Sequence, residues 1–219
     1  MNKVILSIAL VGTILSSCSD NGKQADTQEA EKVNVVNAEQ ATTLNTIQDG
    51  SFVDWRASHL GGMQPRFGKV LLKDVSFSVN NGTLANATVV MNLGSLTVES
   101  FPEGSEQIAK LEGHLKSPDF FNTEKYPTAK FELTQLQEAT GDFNSTITGN
   151  LTISGITKSI TFNANVMTSE NEVSIHSEDF SINRSDWNLT YNAEGTEGVP
   201  VDYLISDDIG FTINVTATK

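Results

Sequence analysis

Three histidines, His59, His114 and His176, are the side chains best suited to acid–base or metal chemistry in this chain of 219 residues. They are scattered, with no i, i+4 pairing and no carboxylate at ligand spacing, so no metal site is expected. Serine and threonine abound, yet no Gly-x-Ser-x-Gly elbow occurs and no Ser/His/Asp set stands out. Arg184 and Asp186 lie close together beside Trp187. Their simplest reading is a strand-end pair fixing a turn, and the functional alternative is a phosphate held by the guanidinium fork. His114 either caps a helix end or hydrogen-bonds a polar ligand group. No paired acid and base can be assembled, so no catalytic residue is assigned and no cofactor is expected.

The larger resource is apolar. Phe120, Phe121, Tyr126, Phe131, Phe162, Phe180, Trp187 and Phe211 supply the aromatic bulk. Aromatic positions in strands are usually core, but in a hollow barrel part of the core is also the wall of a pocket. The densest stretch is residues 114–133, HLKSPDFFNTEKYPTAKFEL. Before it, residues 105–115 set Ile108, Leu111 and Leu115 at helical spacing. Ser117 then reads as an N-cap with Pro118 at the first position of a short helical turn. That turn presents Phe120 and Phe121, and Tyr126-Pro127 ends it.

These residues need a frame, and period-two alternation supplies one. It is clearest at Ile160, Phe162, Ala164 and Val166, and recurs in Val75-x-Phe77-x-Val79, Val89-x-Met91-x-Leu93, Phe131-x-Leu133, Leu151-x-Ile153, Val173-x-Ile175, Phe180-x-Ile182 and Phe211-x-Ile213-x-Val215-x-Ala217. Turn residues punctuate the runs at Asn80-Asn81-Gly82, Gly141-Asp142, Ser154-Gly155 and Glu170-Asn171. Many short strands rich in Thr, Val, Ile and Phe predict an antiparallel barrel or sandwich. A helix interrupting such a chain has to cover something, and an open barrel end is the natural candidate.

The formal charge of −13 and pI near 4.5 exclude nucleic acid as a partner, because no basic stripe exists to neutralise phosphates. At the N-terminus, Lys3 precedes an apolar run, residues 4–15, that is too short to span a bilayer. It leads into Leu15-Ser16-Ser17-Cys18, which resembles the lipobox of bacterial lipoproteins. Cys18 is the sole cysteine, with no internal disulfide partner. Residues 1–17 are therefore expected to be a signal peptide and Cys18 the lipidated residue, anchoring the protein to a membrane of the bacterial envelope. Residues 18–45 lack large apolar clusters and are expected to be a flexible tether, with the folded domain over residues 46–219.

The stretch HLKSPDFFNTEKYPTAKFEL resembles the signature of the YceI-like family of exported bacterial proteins. LTISGITKSITF, residues 151–162, is similar to that family's hairpin, and FSINRSDW, residues 180–187, to its Arg-x-Asp-aromatic strand end. Asn188 stands where the family usually has glycine, and asparagine is the next best residue for a left-handed backbone. The resemblance implies an eight-stranded, lipocalin-like antiparallel β-barrel with a helical plug. It also implies a cavity for a polyisoprenoid or related amphiphilic lipid. On that reading Phe120 and Phe121 close the cavity. Phe131, Leu133, Phe162, Phe180, Trp187 and Phe211 supply its wall, with His114 and Arg184 as candidate polar contacts. Strand parity leaves the inward face open, and Phe180 and Trp187 differ in parity. Two rivals stand beside a lipid-binding module: an envelope enzyme using His114 or Arg184 on a lipid or quinone, and a structural protein with a solid core.

Overall fold

The computed structural model describes residues 21–33 and 41–219. The expected signal peptide and Cys18 lie outside the described residues. Four short strands come first: β1 (Lys23–Gln24), β2 (Asp26–Glu29), β3 (Thr42–Leu44) and β4 (Thr46–Ile47). The remaining strands are β5 (Phe52–His59), β6 (Met63–Asn80), β7 (Thr83–Asn92), β8 (Thr128–Glu138), β9 (Ser145–Ile153), β10 (Ile156–Thr168), β11 (Glu172–Ser177), β12 (Phe180–Asn183) and β13 (Asp208–Thr218). Strands β5 to β11 pair antiparallel in chain order, β11 pairs β13, and β13 returns to β5. This closes an eight-stranded antiparallel barrel.

Alternation sets its two faces. On β9 and β10 the inward set includes Ile147, Leu151, Ile160 and Phe162, all buried. The intervening threonines pair outside, Thr148 with Thr161 and Thr152 with Thr157, each pair 2.9 Å apart. The expected hairpin turn at Asn81-Gly82 forms with both residues at positive φ, 49° and 76°, which matches the twist of the flanking strands.

The barrel wall forks in two places. The first half of β6 outruns β7, and residues 93–99 lie along it instead. The Thr97 N–H donates to Lys69 O (2.9 Å) and the Glu99 N–H to Phe67 O (2.8 Å). Leu93, Leu96 and Val98 from this segment are buried in the core. At Gly68 the backbones meet so closely that a Cβ would lie 1.9 Å from Thr97 O.

The second fork lies between β10 and β12. Strand β11 pairs β10 only over Ala164–Thr168, and β12 then swings away to pair β13. Residues 21–31 fill the gap: β1 runs parallel to β12, with Lys23 opposite Phe180, and β2 runs antiparallel to β10, with Thr27 opposite Ile160. Beyond β2, Glu31 exchanges two hydrogen bonds with the Asn150 side chain. The sequence suggested a flexible tether over residues 18–45, but part of it is wall. Its hold is mostly backbone pairing, which leaves no apolar pattern to read.

The one α-helix among the described residues, α1 (Glu106–Lys116), agrees closely with the helical spacing in the sequence. Ser105 caps it, its Oγ accepting from the Gln107 N–H (3.3 Å), and Leu115 is buried. The Ser117-Pro118 signal yields a single turn and not a second helix: Ser117 Oγ accepts from the Asp119 N–H (3.3 Å) and Ser117 O from the Phe120 N–H (3.1 Å). Ser117 is also the C-cap of α1, and the chain doubles back over the helix end. The Phe121 and Thr123 N–H groups donate to Leu115 O (3.1 Å) and Lys116 O (3.0 Å). Those donors satisfy the last α1 carbonyls and so cannot build a new helix.

Candidate ligand-binding site

The barrel interior is hollow, with a cavity of about 340 Å³. A core packed solid with side chains is therefore not what the fold contains. The wall is almost entirely aliphatic and aromatic, and the volume falls in the range of small-molecule sites. Seven of the ten residues proposed from the sequence as contacts belong to an aromatic and aliphatic set that lines it: Phe120, Phe121, Phe131, Leu133, Phe162, Phe180 and Phe211. His114 and Arg184 also reach the cavity. Trp187 does not. It is fully buried at the end of a 3₁₀ turn, Arg184–Trp187, and its indole N–H donates to Leu151 O (3.0 Å). The turn takes it off the strand that carries Phe180, and it packs in the core without lining the cavity.

Four phenylalanines form a continuous band. Phe131 on β8 lies 5.8 Å from Phe162 on β10, centroid to centroid, which requires crossing β9. Gly149 on β9 makes room, since a Cβ there would sit 2.2 Å from Phe131 Cζ. Phe162 stacks on Phe180 at 4.6 Å with only 5° between the planes, and Phe180 meets Phe211 at 6.0 Å. The band therefore bridges the second fork on the cavity side.

The lid sits at the end where α1 crosses. Phe120 is buried, and His114 stands edge-on to both Phe120 (5.3 Å) and Tyr191 (4.6 Å). These contacts join the segment after α1 to the loop between β12 and β13. His114 thus works chiefly as an aromatic spacer, with Nε2 3.7 Å from Asp119 Oδ2.

Arg184 fixes the other half of the lid. It is fully buried, and it donates to the carbonyls of Ser206, Leu189, Tyr191 and Ile205. Its ion-pair partner is Asp207 (3.4 Å), not the neighbouring Asp186, which is exposed. Burial pushes the guanidinium pKa down, opposed by the charges of Asp207 and Glu194. Its donors are committed to the loop, so a phosphate fork at Arg184 is not what this geometry offers. Asn188 then closes the turn in the left-handed conformation (φ 58°, ψ 28°), as the sequence suggested.

Polar groups gather only near this end. Ser58, His59, Arg66, Asn192 and Tyr203 line the cavity there. His59 Nδ1 lies 2.7 Å from Asp202 O, and Arg66 stacks over Phe101 at 4.5 Å. Sequence reasoning did not assign these residues, because they come from three separated segments that only closure of the barrel brings together. Among the described residues no group of three or more His, Cys, Asp or Glu side chains could hold a metal.

A profile of the YceI-like domain matches residues 43–217, nearly all of the barrel. The chain belongs to the YceI-like family. Similar proteins include a UPF0312 protein of Pseudomonas putida, 34% identical over 114 residues, covering 52% of this chain and 55% of the relative. Another, from Azotobacter vinelandii, is 36% identical over 110 residues, covering 50% and 53%. The chain spans about half the length of these curated relatives. Among solved structures, a polyisoprenoid binding domain from Saccharophagus degradans superposes with a TM-score of 0.57 at 15% identity, covering 81% of this chain and 98% of that one. BcnA of Burkholderia cenocepacia gives 0.54 at 17% identity, covering 77% and 96%. At these identities the structural likeness establishes a shared YceI-like barrel fold.

Proposed function

We propose that this YceI-like protein is a binding protein that holds a polyisoprenoid or related amphiphilic lipid in its barrel, as a carrier or reservoir in the bacterial envelope. The carrying observation is the asymmetry of the cavity: apolar along its length, polar only at the lidded end. That distribution suits a molecule with a long apolar chain and one polar head. The chain would lie along the phenylalanine band, and the head beside His59, Arg66 and Tyr203. Removing apolar surface from water is worth roughly 25 cal/mol per Å², enough to hold a long chain without a charged anchor. The Saccharophagus degradans structure that shares this fold is a polyisoprenoid binding domain, which supports the ligand class. An enzyme reading lacks support in the site: Arg184 is occupied, and among the described residues the ionic contact of His114 is a long one, 3.7 Å to Asp119.

The proposal extends to the N-terminus: Cys18 carries the lipid anchor after removal of residues 1–17. Titration of the purified protein with a fluorescent isoprenoid should saturate at one probe per chain. Linear, unsaturable uptake would defeat the binding reading. For the anchor, Cys18→Ser should shift the protein from the membrane to the soluble fraction, and an unchanged distribution would contradict it.

A further inference from the structure

The second fork contains a removable piece of wall. Residues 21–31 lie outside the stretch that matches the family and carry no large apolar side chain. Only Ala25 reaches the core. Because Asp26 faces Thr161, the register sets Ala25 opposite Phe162, and Ala25 shares the buried core with Phe162 and Phe180. The remaining hold is polar: the Lys23 N–H to Asp179 O (3.3 Å), the Ala25 N–H to Ser181 O (2.8 Å), the β2–β10 ladder, and the contacts of Asn21 and Glu31, the latter including Thr134 Oγ1 (2.8 Å). Lys158 also forms an ion pair with the exposed Glu29 (2.6 Å), which at the surface contributes little. A net hydrogen bond contributes only about 1 kcal/mol, and a segment with little apolar burial opens locally well before the whole fold does.

We propose that residues 21–31 are a releasable closing strand, and that their departure opens a lateral entrance between β10 and β12 through which an apolar chain enters and leaves the cavity. The entrance would expose the edges of β10 and β12 on either side and the Phe162–Phe180 stack at its back. The lid end, by contrast, is pinned by the buried Arg184 and its four carbonyls, so it is the costlier place to open. This inference rests on the lipid-binding reading above.

The test locks the strand. In the full chain carrying Cys18→Ser, Gln28→Cys and Ser159→Cys place thiols at directly opposed positions of β2 and β10, where antiparallel partners stand at disulfide distance. The reduced protein is loaded with a fluorescent fatty acid, half is oxidised, and release to phosphatidylcholine vesicles is timed. Oxidation should slow release by about tenfold or more, with reductant restoring it. A control pair, Thr148→Cys with Thr161→Cys on the outer face of β9 and β10, should leave release unchanged on oxidation. Equal release from locked and unlocked protein overturns the lateral route while leaving lipid binding intact. Failure of the reduced protein to load any probe overturns both the route and the lipid reading.

Discussion

Two segments close gaps in the same barrel wall, residues 93–99 beside β6 and residues 21–31 between β10 and β12, and their chemistry differs. The first drives Leu93, Leu96 and Val98 into the core and fits its backbone against Gly68 with no room for a Cβ. The second contributes Ala25, backbone hydrogen bonds and a few polar side-chain contacts at its surface. Both complete the sheet geometrically. Apolar burial makes the first part of the cooperative core, and its near absence leaves the second as a separately opening unit. On the proposed lipid-binding reading, the weaker closure is what lets a ligand exchange without unfolding the barrel.

Glycine substitutions separate the two seams most sharply. Gly68→Ala forces a Cβ against the Thr97 backbone carbonyl and should destabilise the whole barrel by about 3 kcal/mol, seen as a shifted denaturation midpoint. Gly22→Ala is as crowded, with a Cβ 2.3 Å from Asp179 O and φ at +83°. It should free residues 21–31 to protease at a global cost of about 1 kcal/mol or less. A global loss as large as that of Gly68→Ala would erase the distinction. Next, Leu96→Ala should cost about 2–4 kcal/mol, because a buried side chain in the first seam is lost. Thr27→Ala in the second should cost about 0.5 kcal/mol or less by the same denaturation measurement.

The smallest effect concerns Asp208, whose backbone carbonyl accepts from the Asn21 side chain (3.0 Å) at the second seam. Burial, then the charges of Glu194 and Asp207, raise its carboxyl pKa. A carboxyl raised in the folded state contributes stability that is complete below its unfolded pKa and lost as pH rises through the folded value. Asp208→Asn should therefore gain about 0.5 kcal/mol at most at neutral pH, after solvent screening. Denaturation at about pH 3, where the carboxyl is protonated in both states, should show no gain.

Alternation made most of the barrel legible in the sequence, because each long strand buries one face and wets the other. The helix at Glu106–Lys116 was legible from Ile108, Leu111 and Leu115, and the left-handed Asn188 from its place after the Arg-x-Asp-Trp run. Closing strand β1–β2 was not, since backbone pairing has no composition of its own. Nor was the chain reversal after Lys116, where the turn that Ser117 starts runs back so that Phe121 and Thr123 donate to the last carbonyls of α1. Arg184 was singled out, but its true partners are carbonyls and Asp207 from beyond the following loop, a pairing that sequence spacing does not encode. At the site, the phenylalanines could be named in advance. The polar mouth could not, because His59, Arg66 and Tyr203 meet only after the barrel closes.

The most direct test of a lipid-holding interior is mass spectrometry of lipids retained by the protein purified from its native membrane environment, beside a variant whose cavity is filled. Ala87 and Ala129 both line the cavity and are buried, so Ala87→Phe with Ala129→Phe adds bulk where the chain would lie. The native protein should carry one amphiphile per chain with a long apolar tail, and the filled variant, still folded by circular dichroism, should carry none. The same lipid in both proteins, or no lipid in the native one, would contradict the assignment of this cavity as the binding site.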